Sequence, residues 1–363
     1  MDATHRPLLL GAMADAFKCA CEIVQYEPLH TYKGHVGRCS ILVDRKAVSV
    51  IVKTDLHWGL VSEQEDLSRE YLEELVFYRF TQTLGATGLF PKVLGWSDDG
   101  ILLLEDVGVD QSRKLPFVQV EALVAEALAR FHRFLQPHIG AYEQLRQQYG
   151  LCDASDTRLL SRRADDRWFA DGCRLVEDFF GIFCGDEGRA EYFEFFGDVD
   201  LLVNTPAEYR VILHNDLVNS RQCVITDRVA LIDFEMVRVG HALNDLSRLL
   251  LGKFERDIDT GLWVLIVPGF EMPLVWHYMK EYHGQNYSPD RHVFNNGELF
   301  RAITYNFICL VGWACEAAQV GLVDSLNKFI VSIIDRYLHI VRSISHSKGF
   351  CDKLDLIKGR MLV

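Results

Sequence analysis

The sequence predicts an α+β protein with a small mixed lobe, built from an antiparallel sheet and one helix, followed by a larger, mainly helical lobe. Two observations support this prediction. The first hundred residues are rich in β-branched runs, whereas later segments carry apolar residues at helical spacing over long stretches. The chain has 363 residues, which is longer than one typical domain. We therefore predict a first lobe over residues 1–108 and a second over residues 109–363.

The elements of the first lobe follow in order along the chain. The runs "GRCSILVD" (37–44) and "AVSVIVKT" (47–54) are joined by a polar Arg-Lys pair and predict a hairpin. In residues 62–84, the first residues match a helix capping box and apolar side chains recur at helical spacing. The capping residues are Ser62 and Glu65, and the apolar ones are Leu67, Tyr71, Leu75, Tyr78 and Leu84. The run "GILLLEDVG" (100–108) predicts a further strand.

The second lobe is predicted from long amphipathic segments. The first is "FVQVEALVAEALARFHRFL" (117–135), and several shorter amphipathic segments follow through residue 205. Residues 299–318 and 325–344 are again long and have helical spacing.

Composition and charge exclude several classes of protein. Hydrophobic residues make up 49% of the chain and charged residues 25%, which is typical of a globular protein. The net charge of −13 would repel a nucleic-acid backbone, whereas a cationic or neutral small partner is easier to accommodate. The longest apolar stretches, 262–267 and 307–315, are too short to span a bilayer. We expect neither nucleic-acid nor membrane partners.

The cysteines and the N-terminal residues indicate a cytoplasmic protein. The ten cysteines form no C-x-x-C motif and no paired metal-ligand spacing with histidine, so reduced and mostly buried thiols are expected. The first residues contain Asp2 and Asp15, which do not suit a signal peptide.

Residues 212–235, "ILHNDLVNSRQCVITDRVALIDFE", place two carboxylates after predicted strands. Asp216 follows the first strand, and Asp233 lies near the end of the second arm of a small hairpin that turns at Asp227-Arg228. Two carboxylates at the ends of neighbouring strands can face one cavity. Phosphoryl transfer uses such a pair, because one carboxylate accepts the proton of the attacking hydroxyl and the other holds Mg²⁺.

The motifs "HNDL", "LIDFE" and "GHALNDLSRLL", in that order over about 35 residues, resemble the aminoglycoside phosphotransferase and choline kinase family. The family pattern is His-Gly/Asn-Asp, then Ile-Asp-Trp/Phe-Glu, then Gly-x-x-x-x-Asp-Leu. Upstream, "VIVKT", "EELVFYRF" and "ILLLEDVG" resemble its lysine strand, its Glu-x-x-Phe-Tyr helix and its interlobe hinge. The resemblance covers the chain from about residue 30 to 250.

The resemblance implies a protein kinase-like fold, with ATP and Mg²⁺ as cofactors. It makes Asp216 the catalytic base and Asp233 the metal ligand. Lys53 would be the phosphate anchor, paired with Glu74, and Glu105 to Val107 would form the hinge that faces adenine. A lysine after a strand and a glutamate on an amphipathic helix are usually surface residues, so these assignments depend on the whole set of motifs.

The loop that covers the nucleotide is less specific. The backbone amides of Gly34 and Gly37 could cover phosphates, although an ordinary glycine-containing turn explains them equally well. The family places Asp245 on a helix that braces the catalytic loop. We therefore interpret Asp245 as structural, and His214 and His132 as interior residues.

Arg221 departs from the family pattern. The family has asparagine five residues after the catalytic aspartate, as a second metal ligand, whereas arginine has no acceptor lone pair. An amide oxygen of Asn219 or Gln222 could replace that ligand. Arg221 itself would then stabilise the transferring phosphoryl group as an internal arginine finger. The alternative is an outward-pointing side chain in a surface ion pair.

These features predict an ATP-dependent small-molecule kinase, which transfers the γ-phosphoryl group to a hydroxyl of an alcohol, sugar, antibiotic or natural product. The alternative is a non-catalytic nucleotide-binding pseudokinase or scaffold, which Arg221 motivates. A phosphohydrolase with His214 and Asp216 as metal ligands would need further His/Asp pairs. In the family that the motifs resemble, the C-terminal helices form the acceptor pocket, so the resemblance makes the aromatic-rich residues 270–300, with several carboxylates among them, the candidate acceptor segment. Their aromatic side chains are also explained as helix core.

Overall fold

The computed structural model divides the chain into two compact units. Unit 1 comprises residues 1–114, 140–152 and 223–237, and unit 2 comprises residues 115–139, 153–222 and 238–363. The residues described are 5–29, 36–54, 64–85, 88–97, 100–151, 163–196, 209–217, 222–251, 253–256, 263–266, 272–288, 296–319, 321, 325–344 and 348–361. The sequence predicts a single boundary near Gly108, and that division stays a prediction.

Unit 1 contains a five-stranded antiparallel sheet in the order β1-β2-β3-β5-β4. Its strands are β1 (Cys21–Pro28), β2 (Val36–Val43), β3 (Lys46–Thr54), β4 (Val93–Ser97) and β5 (Ile101–Glu105). The predicted hairpin is β2–β3, with Val43 opposite Lys46. It turns at Asp44 and Arg45, whose φ angles of 49° and 66° suit the tight turns of twisted hairpins. The turn therefore begins one residue before the predicted Arg-Lys pair.

Helix α1 (His5–Phe17) packs on this sheet, and the sequence pattern did not predict it. Leu9 and Met13 belong to one buried cluster with Ile41, Val50 and Val52 of the sheet. The apolar residues at positions 8–10 are consecutive and show no helical period, which explains why the pattern missed the helix.

Helix α2 (Gln64–Leu84) confirms the predicted helix of the first lobe. Ser62 lies outside the described residues, as does the side chain of Glu65, so the capping box is not described. Phe77 stacks on Phe234 with ring centroids 4.1 Å apart, and its ring also contacts Phe90 and Tyr142 edge-on. This aromatic core joins α2 to α4 (Ile139–Gln148) and to the chain after the hairpin of β7 (Cys223–Ile225) and β8 (Val229–Leu231).

Unit 2 is mainly helical, as predicted. Its helices are α3 (Phe117–Leu135), α5 (Arg163–Phe196, with a break at Gly185), α6 (Leu243–Leu251), α7 (Met272–His283), α8 (Asn296–Gln319), α9 (Leu326–Ile344) and α10 (Lys348–Met361). Two short antiparallel pairs complete it: β6 (Arg210–Leu213) with β9 (Arg238–His241), and β10 (Lys253–Arg256) with β11 (Trp263–Ile266). Of the apolar run at 262–267, residues 263–266 form strand β11 of the second pair.

Helices α5 and α8 approach each other closely because glycines lie where they cross. A Cβ atom on Gly172 would lie 2.0 Å from the carbonyl oxygen of Ile308, and one on Gly312 would lie 1.9 Å from that of Trp168. Any larger residue at these positions would force the backbones apart.

Two further expectations from the sequence concern buried, reduced cysteines and membrane-spanning segments. The nine described cysteines form no disulfide with one another; four are buried and five are partly exposed, so fewer are buried than the sequence predicts. Within the described part of the chain, every helix is too short or too polar to cross a membrane.

Candidate active site

The loop after β6 carries Asp216 and turns at a strained residue. Asn215 has a φ of 63°, in the left-handed region that asparagine tolerates better than most residues. His214 and Asn215 are buried, whereas the side chain of Asp216 is 27% exposed. The turn therefore leaves the Asp216 carboxylate accessible at the end of a buried strand.

Asp245 of α6 holds the backbone of this loop. Its Oδ2 atom accepts a hydrogen bond from the His214 amide at 2.7 Å, and its Oδ1 atom accepts one from the Asn215 amide at 2.6 Å. His132 Nε2 lies 3.0 Å from Oδ2, and His132 Nδ1 lies 2.7 Å from the Tyr278 hydroxyl. These contacts match the interpretation of Asp245 and His132 as structural residues.

The charge of Asp245 is stabilised in a fully buried position. Burial alone would raise the pKa of its carboxyl group, but the hydrogen bond and charge of His132, together with His214, hold that pKa below its ordinary value of 3.8. The carboxylate is therefore ionised at neutral pH and accepts hydrogen bonds at both oxygens.

Three groups surround the side chain and amide of Asp216. Gln222 Nε2 donates a hydrogen bond to Asp216 Oδ2 at 3.3 Å, and Arg248 Nη1 lies 4.0 Å from Oδ1. The Asp216 amide donates to His214 Nδ1 at 3.4 Å. A carboxylate that is oriented but still partly exposed can accept a proton from a bound hydroxyl.

Gln222 offers a buried acceptor that the described residues leave unused. Its Oε1 atom is buried, and no group among the described residues donates a hydrogen bond to it. A buried amide oxygen with free lone pairs suits a hard cation such as Mg²⁺. Asn219 and Arg221, the other two residues of this loop with predicted roles, lie outside the described residues.

In unit 1, Lys53 of β3 lies between two carboxylates. Its Nζ atom is 2.8 Å from both oxygens of Glu74 and 2.6 Å from Oδ1 of Asp233. The Phe234 amide also donates to Glu74 Oε1, at 3.2 Å. The structure thus brings together Lys53, Glu74 and Asp233, which lie on β3, on α2 and after β8.

The electrostatic balance keeps Lys53 protonated. Burial alone would lower the pKa of its ammonium group, but the charges of Asp233, Glu74 and Glu235 outweigh burial and raise that pKa well above its usual value. Burial raises the pKa of the Glu74 carboxyl group, and the charge of Lys53 opposes this shift. A fixed cation in this position suits the anchoring of a phosphate.

Asp233 combines backbone strain with a second nearby carboxylate. Its φ is 70°, and its side chain is 35% exposed. A carboxylate oxygen of Glu235 lies within 4.8 Å of one on Asp233. Strained backbone of this kind concentrates at functional sites, and carboxylate oxygens are preferred Mg²⁺ ligands. Sequence reasoning missed Glu235, although "IDFE" places it two residues after Asp233.

The predicted hinge begins at Glu105, the last residue of β5, and its acidic side chains are engaged within unit 1. Glu105 accepts hydrogen bonds from Arg228 at 3.2 Å and from the Lys92 amide at 3.1 Å. Asp106, within the predicted hinge, accepts from Arg38 Nε at 2.8 Å and from Ser49 at 2.5 Å. Burial would raise the pKa of Asp106, but these bonds lower it. Val107 follows as a partly exposed residue.

The two predicted loop glycines differ in what the structure shows. Gly34 lies outside the described residues. Gly37 lies within β2, and a Cβ atom there would be 2.4 Å from the phenol ring of Tyr26 on the neighbouring strand. Packing of Tyr26 therefore explains why residue 37 lacks a side chain, and a role in covering phosphates stays a prediction.

Comparison with known proteins assigns a family to this arrangement. Residues 61–277, more than half of the chain, match the model of the phosphotransferase enzyme family, APH. The chain belongs to this phosphotransferase family. The predicted resemblance is therefore confirmed.

Solved structures similar to this phosphotransferase share its fold. The ethanolamine kinase of Plasmodium vivax has a TM-score of 0.55 and 14% sequence identity, covering 88% of this chain and 84% of that one. The choline kinase from Cryptosporidium parvum Iowa II has a TM-score of 0.53 and 11% identity, covering 93% of each chain. The predicted kinase-like fold is confirmed. No curated protein sequence matches the chain significantly.

Proposed function

We propose that this phosphotransferase transfers the γ-phosphoryl group of ATP to a hydroxyl of a small molecule. One observation carries the proposal: Lys53 Nζ lies within 2.8 Å of both Glu74 and Asp233. An ammonium group held this way is a ready phosphate anchor, and a neighbouring carboxylate is available for a metal.

The roles of the two aspartates follow from their surroundings. Asp216 would accept the proton of the attacking hydroxyl, because it is partly exposed and is oriented by Gln222. Asp233 and Glu235 would hold Mg²⁺ through their carboxylate oxygens. The amide oxygen of Gln222, to which no described residue donates, is a separate candidate metal ligand. When bound, Mg²⁺ neutralises charge on the nucleotide phosphates.

The acceptor is proposed to be a small alcohol that carries an amine. Two structural neighbours are named as ethanolamine and choline kinases. The net charge of −13 also favours a cationic substrate over an anionic one. Sugars, antibiotics and other natural products with a free hydroxyl belong to the same test panel.

A nucleotide-binding protein without catalysis is the second candidate, and Arg221 is the feature that favours it. Arginine cannot bind a metal ion where the family has asparagine. The Oε1 atom of Gln222, to which no donor in the described part of the chain bonds, supports catalysis instead, because it supplies an amide oxygen one residue away.

The test combines an acceptor panel with two substitutions. The protein is incubated with MgATP and with ethanolamine, choline or an aminoglycoside, and ADP and the product mass are measured. We expect Asp216→Asn to lower kcat by about 100-fold to 10,000-fold while MgATP binding persists. Asp233→Asn should weaken Mg²⁺-dependent ATP binding as well.

The control is Asp335→Asn, which changes an exposed aspartate paired with Lys358. This variant should retain wild-type turnover. A near-wild-type rate in Asp216→Asn would refute its role as the base. MgATP binding without turnover of any acceptor would favour the non-catalytic alternative.

A further inference from the structure

Helix α6 presents three polar side chains to Asn215, the strained residue before Asp216. Asn244 and Asp245 precede Arg248 by four and three residues, so each lies beside Arg248 on the helix surface. Asp245 Oδ1 accepts from the Asn215 amide at 2.6 Å. Asn244 Nδ2 donates to Asn215 Oδ1, and Arg248 Nη1 donates to the Asn215 carbonyl oxygen, both at 2.5 Å.

The amide, the carbonyl oxygen and the side-chain oxygen of Asn215 thus each have a partner on α6. A left-handed conformation is unfavourable for a residue other than glycine unless its surroundings hold it. The bond from Arg248 fixes the carbonyl of the peptide that leads directly into Asp216. Its Nη1 atom also lies 4.0 Å from Asp216 Oδ1, so the same guanidinium group reaches both the backbone and the carboxylate.

The guanidinium group of Arg248 is itself held from the opposite side. Arg248 is 6% exposed, and its Nε atom donates to Asn306 Oδ1 of α8 at 2.9 Å. Asn306 Nδ2 donates to Asn244 Oδ1 at 3.0 Å and to Ser247 Oγ at 2.6 Å. The planar group is therefore anchored by one nitrogen, which leaves Nη1 aimed at the loop.

We propose that Arg248 is a positioning residue for Asp216, and that it acts by fixing the Asn215–Asp216 peptide and orienting the Asp216 carboxylate. This inference rests on the proposed function, in which Asp216 is the base. A displacement of about 1 Å at a reacting group lowers turnover by about 100-fold. The proposed phosphate anchor, Lys53, belongs to unit 1, so we expect a smaller effect on ATP binding.

Arg336 provides a matched control. It is also a buried arginine, 1% exposed, and its Nε atom donates to a main-chain carbonyl at the end of α6, that of Leu250, at 2.9 Å. Arg248→Lys and Arg336→Lys therefore make the same chemical change at two buried sites. The two sites differ in that Arg248 binds the loop that carries Asp216. Arg248→Gln removes the charge as well.

Turnover is measured with MgATP and whichever acceptor of the panel the wild-type protein phosphorylates fastest. We expect Arg248→Lys to lower kcat by about tenfold and Arg248→Gln by about 100-fold, with KM for ATP changed by less than about threefold. Arg336→Lys should lower the unfolding midpoint but keep kcat within about threefold of wild type. Wild-type kcat in Arg248→Lys, or equal losses of kcat at both arginines, would overturn the proposal.

Hydrogen–deuterium exchange of residues 209–217 provides a readout that needs no acceptor. The His214 and Asn215 amides should exchange faster in Arg248→Lys than in wild type, and at the wild-type rate in Arg336→Lys. Unchanged exchange in Arg248→Lys would refute the positioning role. If the wild-type protein phosphorylates no acceptor, the proposed function fails, and exchange still decides whether Arg248 holds the loop.

Discussion

Replacement of Asp245 by asparagine should test how the catalytic loop is held. The carboxylate accepts three close contacts while it is fully buried: the His214 amide at 2.7 Å, the Asn215 amide at 2.6 Å and His132 at 3.0 Å. Asparagine offers one acceptor oxygen and one NH₂ group. With that oxygen at the Oδ2 position, the NH₂ group must face the amide of Asn215, which is also a donor.

The expected loss follows from these contacts. A buried donor left without an acceptor costs about 1–3 kcal/mol. The remaining two contacts lose the negative charge that strengthens them, so we expect a total loss of about 3–5 kcal/mol in the free energy of unfolding, as for other broken buried ion pairs.

The pH dependence has a defined sign. The pKa of Asp245 is lower in the folded protein than its ordinary value of 3.8, so its contribution to stability is present above pH 3.8 and is lost as the pH falls through the folded pKa. The gap between wild type and Asp245→Asn should therefore persist above pH 3.8 and close below it.

Urea unfolding at several pH values measures this gap. The control is Asp355→Asn, because Asp355 is a third exposed and pairs with Arg342 and Lys358 at the surface. The Asp355→Asn variant should lose no more than about 1 kcal/mol in the free energy of unfolding. A loss below about 1 kcal/mol in Asp245→Asn would refute the conclusion that this carboxylate holds the loop backbone.

Two further predictions concern the residues proposed to bind the nucleotide and the metal. Lys53→Met should destabilise unit 1 by about 3–5 kcal/mol and weaken ATP binding, because Glu74 is left buried without its cation. In urea unfolding, the double variant of Lys53→Met and Glu74→Gln should lose less free energy of unfolding than the two single variants lose together. Strictly additive losses would contradict the pairing of Lys53 with Glu74. Gln222→Ala should raise the Mg²⁺ concentration needed for half-maximal rate, whereas Arg221→Ala should lower kcat if Arg221 stabilises the transferring phosphoryl group. Unchanged kinetics in both variants would leave neither residue with a role.

The local elements of the fold were predictable from the sequence because their signals come from near neighbours. β-Branched runs joined by a polar pair predicted β2 and β3, and helical spacing predicted the bounds of α3, residues 117–135. The spacing of "HNDL", "LIDFE" and "GHALNDL" identified the family because each motif is a short continuous segment. Helix α1 was not predicted, because its own segment lacks a clear helical pattern and its burial depends on a sheet that forms from later residues.

The sequence by itself determined which residues are the candidates for chemistry, and the tertiary structure decided how each of them is held. Lys53 and Asp233 are 180 residues apart in the chain, and only packing places the ammonium group 2.6 Å from the carboxylate. No sequence pattern singled out Arg248, because its partner Asn306 lies 58 residues away on another helix. Contacts between distant residues depend on which faces of the helices and strands pack together, and the pattern of a single segment does not contain that information.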